Sequence, residues 1–259
     1  MNDTADNLVR YQRQMILPDM GLAAQRKLGS SKALIVGVGG LGSWMAELLT
    51  RAGVGALRLI DPDNVDLTNL HRQALYTEHD ARLARPKVEA AAERLASINS
   101  HAAIEPIVGR LDRHNIAALA EGVDVILDGT DNFLARYIIN DYAVKMQRPW
   151  VFAGAVGTEA QILAILPGQS ACLRCILPDP PPPCHDPNCR QAGVLGPVVA
   201  AVAAMQAVEA IKILSGRSDA ARSQLLKFDL WTNRVQQISA NKSADCPCCG
   251  LREFDYLEG

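Results

Sequence analysis

Short apolar runs alternate along this chain with longer segments whose apolar residues recur every three or four positions. Ala33-Leu34-Ile35-Val36 is the first run and ends at Gly37; Ala56-Leu57-Arg58-Leu59-Ile60 is the second and ends at Asp61. Residues 123–128, 150–153 and 161–166 are three more. Such runs, bounded by polar or glycine residues, predict buried strands. Between them, 41–52, 85–98 and 132–146 carry helical spacing, with 85–98 the most clearly amphipathic. Strands alternating with helices predict an α/β fold with a doubly wound, mostly parallel sheet. A polar arm and a short helix over about 23–28 precede it. The proline run at 178–183 cannot be helical and predicts an extended crossover. Residues 198–214 follow as a helix and 224–238 as a closing hairpin. No internal repeat or separating linker divides the chain, so one domain over 1–259 is expected.

The glycines make the first strand–helix junction specific. Gly37-Val38-Gly39-Gly40-Leu41-Gly42 directly follows the first strand and opens the next helix. Glycines there permit a tight turn and let backbone N–H groups approach a phosphate at the helix N-terminus. Asp61 ends the next strand, 19 residues after Gly42, where a carboxylate reaches ribose hydroxyls. This places a nucleotide on a Rossmann-like sheet, with Gly37, Gly39, Gly40, Gly42 and Asp61 as binding residues. The loop alone does not choose among NAD, FAD and ATP. The domain then reads as an arm (1–30), a nucleotide-binding part (31–170) and a crossover, helix and C-terminal part (171–259).

Three polar clusters bear on that choice. Asn69-Leu70-His71-Arg72-Gln73 and Arg85-Pro86-Lys87 supply cations suited to polyphosphate, and Asp128-Gly129-Thr130-Asp131-Asn132 follows the third strand. Ligands in open α/β sheets sit outside the carboxyl ends of the strands. Asp131 is a hard oxygen ligand suited to Mg²⁺. Two cations and an acid beside a glycine loop favour a triphosphate over a nicotinamide. Singly, Arg72 and Lys87 also read as solvated surface charges, and Asp131-Asn132 as a helix cap that binds metal as well. His71, His79, His101 and His114 show no ligand spacing and read as surface or turn residues.

Seven cysteines add a second feature. Cys172 and Cys175 form one C-x-x-C pair and Cys246 and Cys249 another, the four thiolates a tetrahedral Zn²⁺ needs. A redox dithiol or two disulfides are the alternatives. Cys248 lies inside the second pair, which leaves Cys248 and Cys249 both open as the ligand, and the spacing favours Cys249. Such a site would staple the C-terminal portion to the segment before the proline run. His185, beside Cys184, is a weaker metal candidate because the four thiols already complete a site.

Charge excludes rather than identifies. Lys plus Arg number 26 and Asp plus Glu 28, a net charge of −2 that gives no reason to expect nucleic acid or an anionic membrane as a partner. The N-terminus shows no apolar targeting segment, and the apolar stretch 194–208 is too short to span a bilayer. A cytoplasmic protein is the expectation.

Taken together in this order, these residues resemble the ThiF/MoeB/HesA family, bacterial relatives of ubiquitin-activating enzymes. The resemblance is carried by Arg10-Tyr11-Gln12-Arg13-Gln14, the 37–42 loop, Asp61, residues 69–73, 85–87 and 130–132, both cysteine pairs and residues 192–197. It runs from about residue 8 to Gly250. It implies an adenylyltransferase acting on the C-terminal glycine of a small ubiquitin-like sulfur carrier that ends in Gly-Gly. Gly40, Asp61, Asn69, Arg72, Gln73, Lys87 and Asp131 would hold MgATP, with Asn132 adjacent, and Arg13 would reach in from the second subunit of a homodimer. Arg13, Arg72, Lys87, Asp131 and Cys189 would be the catalytic set. The context of Cys189, with Arg190 beside it to favour a thiolate, looks more ThiF-like than MoeB-like and implies a sulfur-relay role. Many relatives carry a fused rhodanese domain; this chain ends nine residues after Gly250, so a separate sulfur donor is expected. The thiamine thiazole pathway is favoured, with molybdopterin next. An NAD(P)-dependent oxidoreductase is the alternative, supported only by the glycine loop and Asp61.

Overall fold

The computed structural model describes residues 8–180, 193–221 and 223–259. Strands β1 (Lys32–Val36), β2 (Ala56–Asp61), β3 (Ala103–Val108), β4 (Val125–Asp128), β5 (Trp150–Val156), β6 (Glu159–Ile165), β7 (Leu225–Asp229) and β8 (Arg234–Ile238) form one sheet in the order β3-β2-β1-β4-β5-β6-β7-β8. The pairs from β3 through β5 are parallel and those from β5 through β8 antiparallel. The main helices are α1 (Gly21–Gly29), α2 (Gly40–Ala52), α3 (Lys87–Ile98), α4 (Phe133–Lys145) and α5 (Gly196–Leu214).

The central strands are apolar throughout because both faces are covered. All four residues of β4 and four of the five in β1 are buried. One face packs against α2, α3 and α5 through Met45, Leu49, Val88, Leu95, Val202 and Ala203. The other packs against α4 and the C-terminal cysteine segment through Tyr137, Ile139, Cys172 and Cys248.

β3 was not expected from the sequence. It runs Ala-Ile-Glu-Pro-Ile-Val, with no buried residue and a proline inside it. β3 is an edge strand paired only with β2, so Pro106 breaks no ladder on its free side. β5 and β6 both run further toward their connecting turn than the apolar runs indicate, because the seven-residue antiparallel ladder pairs Gly154 with Gln161 and Val156 with Glu159. The closing hairpin is present as β7–β8, with Asn233 in the left-handed region.

Helix α5 corrects one expectation. It extends to Leu214, 19 residues with a mean hydropathy of 1.7, so length and composition do not exclude a membrane span. Its environment supplies a different role. Val198, Val202, Ala203, Gln206, Ala207 and Ala210 are buried against α2 and the middle of the sheet.

The chain leaves β1 for β2 and β3 on one side and returns to β4 on the other. The sheet therefore opens a crevice between the C-terminal ends of β1 and β4. The backbones there touch. A Cβ on Gly42 would lie 1.9 Å from the Gly37 carbonyl oxygen, and one on Gly129 would lie 2.2 Å from it. Gly42→Ala is therefore expected to cost roughly 1–3 kcal/mol in urea unfolding. Gly122→Ala, with φ +67° but open space around it, is expected to cost only about 1–2 kcal/mol. Equal urea midpoints for wild type and Gly42→Ala would refute the close-packing account.

Candidate active site

The crevice opens into a cleft of about 1430 Å³. That exceeds the roughly 300–1,000 Å³ that holds one drug-sized ligand. Its floor is the glycine loop. Gly37, Gly39 and Gly40 line it, whereas Gly42 is turned inward against Gly37 and does not. Gly40 begins α2, whose N-terminal N–H groups make an anion site.

Asp61 closes one side. Its carboxylate accepts hydrogen bonds from the N–H of Val38 at 2.7 Å and of Asp63 at 2.9 Å. Burial raises its pKa above the ordinary carboxylate value, and the charge of Lys87 opposes that rise. Lys87 begins α3 just after Pro86 and is itself buried. Its Nζ lies 2.9 Å from Asp63 Oδ2 and 3.9 Å from Asp61 Oδ1. Lys87 is therefore not the solvated surface charge that it resembled in isolation. Asp63, which the sequence did not single out, is its nearest counter-ion.

The 69–73 cluster forms the opposite wall. Asp66 caps the single turn Leu67–Asn69 by accepting from the Thr68 N–H. The turn aims Asn69 and Arg72 at the cleft, and Arg72 Nη2 donates to Asn69 Oδ1 at 2.8 Å. The ring of His71, expected to be a bystander, lies 2.8 Å from Arg72 Nη1 and also lines the cleft. Gln73 is buried, and its Oε1 has no partner among the described residues. A buried acceptor left open beside a cleft is what a bound ligand or water would satisfy.

At the end of β4 the structure separates two acids. Both oxygens of Asp128 are engaged: Oδ1 accepts from the Thr130 N–H and hydroxyl at 2.9 and 2.7 Å, and Oδ2 from Arg136 Nε at 2.9 Å. Asn132 caps α4, accepting from the Ala135 N–H at 2.9 Å. The cap is thus Asn132 alone. Asp131 is exposed at the cleft and makes no hydrogen bond or ion pair with the described residues. Of the two acids it is the one open to a hard cation, and its oxygens suit Mg²⁺. The far wall is built from β5 and β6, including Gly154, Thr158, Glu159 and Gln161, with Lys227 of β7 ion-paired to Glu159 at 2.8 Å.

Arg13 stands apart. It lies on the short helix Gln12–Met15 and does not line the cleft of its own chain. It borders a shallow groove with Met15, Ile16 and Leu22. Cys184, His185, Cys189 and Arg190 lie outside the described residues.

The two cysteine pairs do meet. The sulfurs of Cys172, Cys175, Cys246 and Cys249 all lie within 4.8 Å of one another. Cys172 is 3.6 Å from Cys246 and 3.9 Å from Cys175, and Cys175 is 3.3 Å from Cys249. Four thiolates around Zn²⁺ at about 2.3 Å each sit about 3.8 Å apart, so the cluster fits a tetrahedral ion. Cys248 is outside this set. Its buried sulfur accepts from Asn140 Nδ2 at 3.3 Å, while Asn140 Oδ1 accepts from the Leu173 N–H at 2.8 Å. In the protein alone, burial pushes the Cys175 and Cys249 thiols up, and a hydrogen bond with Cys248 followed by burial does so for Cys172. A divalent cation inverts that preference by stabilising the thiolates.

The chain is also similar to known proteins. The chain is 38% identical over 250 residues to the Sulfur carrier protein ThiS adenylyltransferase of Bacillus subtilis, covering 96% of this chain and 73% of that one. It is 43% identical over 246 residues to the Adenylyltransferase and sulfurtransferase MOCS3 of Drosophila grimshawi, covering 94% of this chain but only 54% of the relative, about half its length. Among solved structures, E. coli MccB with AMPCPP and MccA superposes with a TM-score of 0.81 at 25% identity, covering 95% of this chain and 75% of the other. The ThiF family model matches residues 11–248, and the chain belongs to the ThiF family.

Proposed function

We propose that this protein adenylates the C-terminal glycine carboxylate of a small ubiquitin-like sulfur carrier ending in Gly-Gly, using ATP. The observation that carries this reading is the convergence of Arg72, Lys87 and the open Asp131 on one cleft behind the glycine loop. Relatives named as adenylyltransferases, and a structural neighbour that carries a nucleotide analogue, support it.

In the proposed reaction, the carrier carboxylate attacks the α-phosphorus. A new C–O–P link forms, the bond to the β-phosphate oxygen breaks, and pyrophosphate leaves. A carboxylate is already ionised at neutral pH, so the protein needs no general base. What remains is positioning and stabilisation of charge on the phosphates. Arg72 and Lys87 supply positive charge, and the α2 N-terminus offers N–H donors. Asp131 would hold Mg²⁺, which neutralises phosphate charge when bound. Asp61 would accept hydrogen bonds from the ribose hydroxyls. The size of the cleft leaves room along β5 and β6 for the carrier's extended tail. Arg13 would enter this site from a second copy of the chain. Cys189 would take the activated carrier toward sulfur transfer with a separate sulfur donor. Thiazole synthesis for thiamine is the favoured pathway, with molybdopterin synthesis next.

The oxidoreductase reading uses only the glycine loop and Asp61. It leaves Arg72, Lys87 and Asp131 without a task. ATP–pyrophosphate exchange with MgATP and purified Gly-Gly carriers discriminates the two. Exchange stimulated by a carrier, and lost when its terminal glycine is removed, is the expected result. No exchange with any carrier, together with hydride transfer to NAD(P), would replace this reading with the second.

A further inference from the structure

The geometry points to Arg136 as a positioning residue that sets where Asp131 stands relative to the β5 wall of the cleft. This inference rests on the adenylation reading. Arg136 is four residues after the Asn132 cap, on the first turns of α4, and buried. Its guanidinium has three fixed partners, one on β4, one in the turn that follows it and one on β5. Nε donates to Asp128 Oδ2 at 2.9 Å; Nη2 donates to the Thr130 carbonyl at 2.9 Å and to the Ala153 carbonyl of β5 at 3.2 Å. The rings of Phe133 and Phe152 lie 5.1 and 5.3 Å from it, which fixes its plane.

Each contact bears on the cleft. Asp128 uses its other oxygen to hold the Thr130 N–H and hydroxyl, so the pair grips the 129–132 turn from the acid side and from the carbonyl side. Asp131 is the next residue of that turn. The third contact reaches β5 immediately before Gly154, Ala155 and Val156, which line the β5 wall of the cleft. One planar group therefore spaces the acid that faces the phosphates from the strand that would guide the carrier tail. A lysine has one point charge and cannot reproduce three directed bonds in one plane.

The test compares wild type with Arg136→Lys and Asp128→Asn. Calorimetry of ATP binding across a Mg²⁺ series gives the metal midpoint, exchange kinetics give kcat and KM, and melting curves report folding. Metal-free ATP affinity is expected to stay within about twofold of wild type, while the Mg²⁺ midpoint rises about 10-fold or more and kcat falls about 10- to 100-fold, as when a partner that orients a metal ligand is lost. The midpoint is a property of folded molecules, so partial unfolding lowers the amplitude and leaves it in place. A wild-type Mg²⁺ midpoint and kcat in folded Arg136→Lys would overturn the inference. If wild type binds MgATP but exchanges with no carrier, the adenylation reading fails while the midpoint still decides the role of Arg136. If wild type binds no nucleotide, both fall.

Discussion

Asp131→Asn is expected to lower ATP–pyrophosphate exchange by about 100-fold or more while leaving the melting curve near that of wild type. The size is set by comparison with the loss of one preorganised hydrogen-bond donor to a transition state, which typically costs about 10²–10³ in rate. The separation from stability follows from the structure. Asn132 caps α4, and Asp128 holds the turn together through Thr130 and Arg136. Asp131 does neither, and its side chain is exposed. The substitution keeps shape and removes only the charge. Asp128→Asn makes the opposite contrast, because it weakens a pair in which the acid is fully buried and the arginine nearly so. Breaking such a pair costs about 3–5 kcal/mol. Undiminished exchange in Asp131→Asn would remove Asp131 from the metal-binding role. A drop in melting temperature as large as that of Asp128→Asn would show that it holds the fold instead.

Removing metal is expected to lower the melting temperature by roughly 8–20 °C, with activity at 25 °C falling only as the protein unfolds. Residues 172 and 246 are 74 positions apart, and the four-thiol cluster ties them together. A cross-link closing a loop of that length removes about 4–5 kcal/mol of chain entropy from the unfolded state. For a domain of this size each kcal/mol moves the midpoint about 2–4 °C. The cluster packs under α4 beside Tyr137 and Phe254, on the face of the sheet away from α2 and α5. It does not line the cleft. Dialysis against a chelator, metal analysis and melting curves check the expectation. Cys249→Ser should behave like the chelated protein, and Cys248→Ser should retain metal, since its sulfur lies outside the four. An unchanged melting temperature after complete metal loss would show that the cluster is not a staple. Loss of exchange in protein that remains fully folded would move the cysteines into the chemistry.

The central strands and the helices between them were legible in the sequence because strands buried on both faces must be continuously apolar. β3 was not, because an edge strand needs neither that run nor freedom from proline. The glycine loop was legible because its spacing follows from local backbone geometry. The sequence did not reveal that Gly42 serves the packing of the loop rather than its ligand surface, since the contact is with Gly37 across the turn. Asp63 and Arg136 carried faint signals, an acid two residues after Asp61 and a cation one helical turn after Asn132. Neither is informative until Lys87 and Asp128 are placed beside them.

Local pattern and motif spacing determined the strand–helix alternation, the glycine loop, the polar clusters and the two cysteine pairs. Each is written within a few consecutive residues, where periodicity and turn chemistry act. Only the tertiary structure decided which groups in those motifs are free and which are consumed: Asp131 open and Asp128 engaged, Lys87 buried beside Asp63, Cys249 in the cluster and Cys248 held by Asn140. Those assignments depend on hydrogen bonds and ion pairs between segments far apart in the chain. They exist only once the sheet has brought the ends of β1, β2, β4 and β5 to one edge.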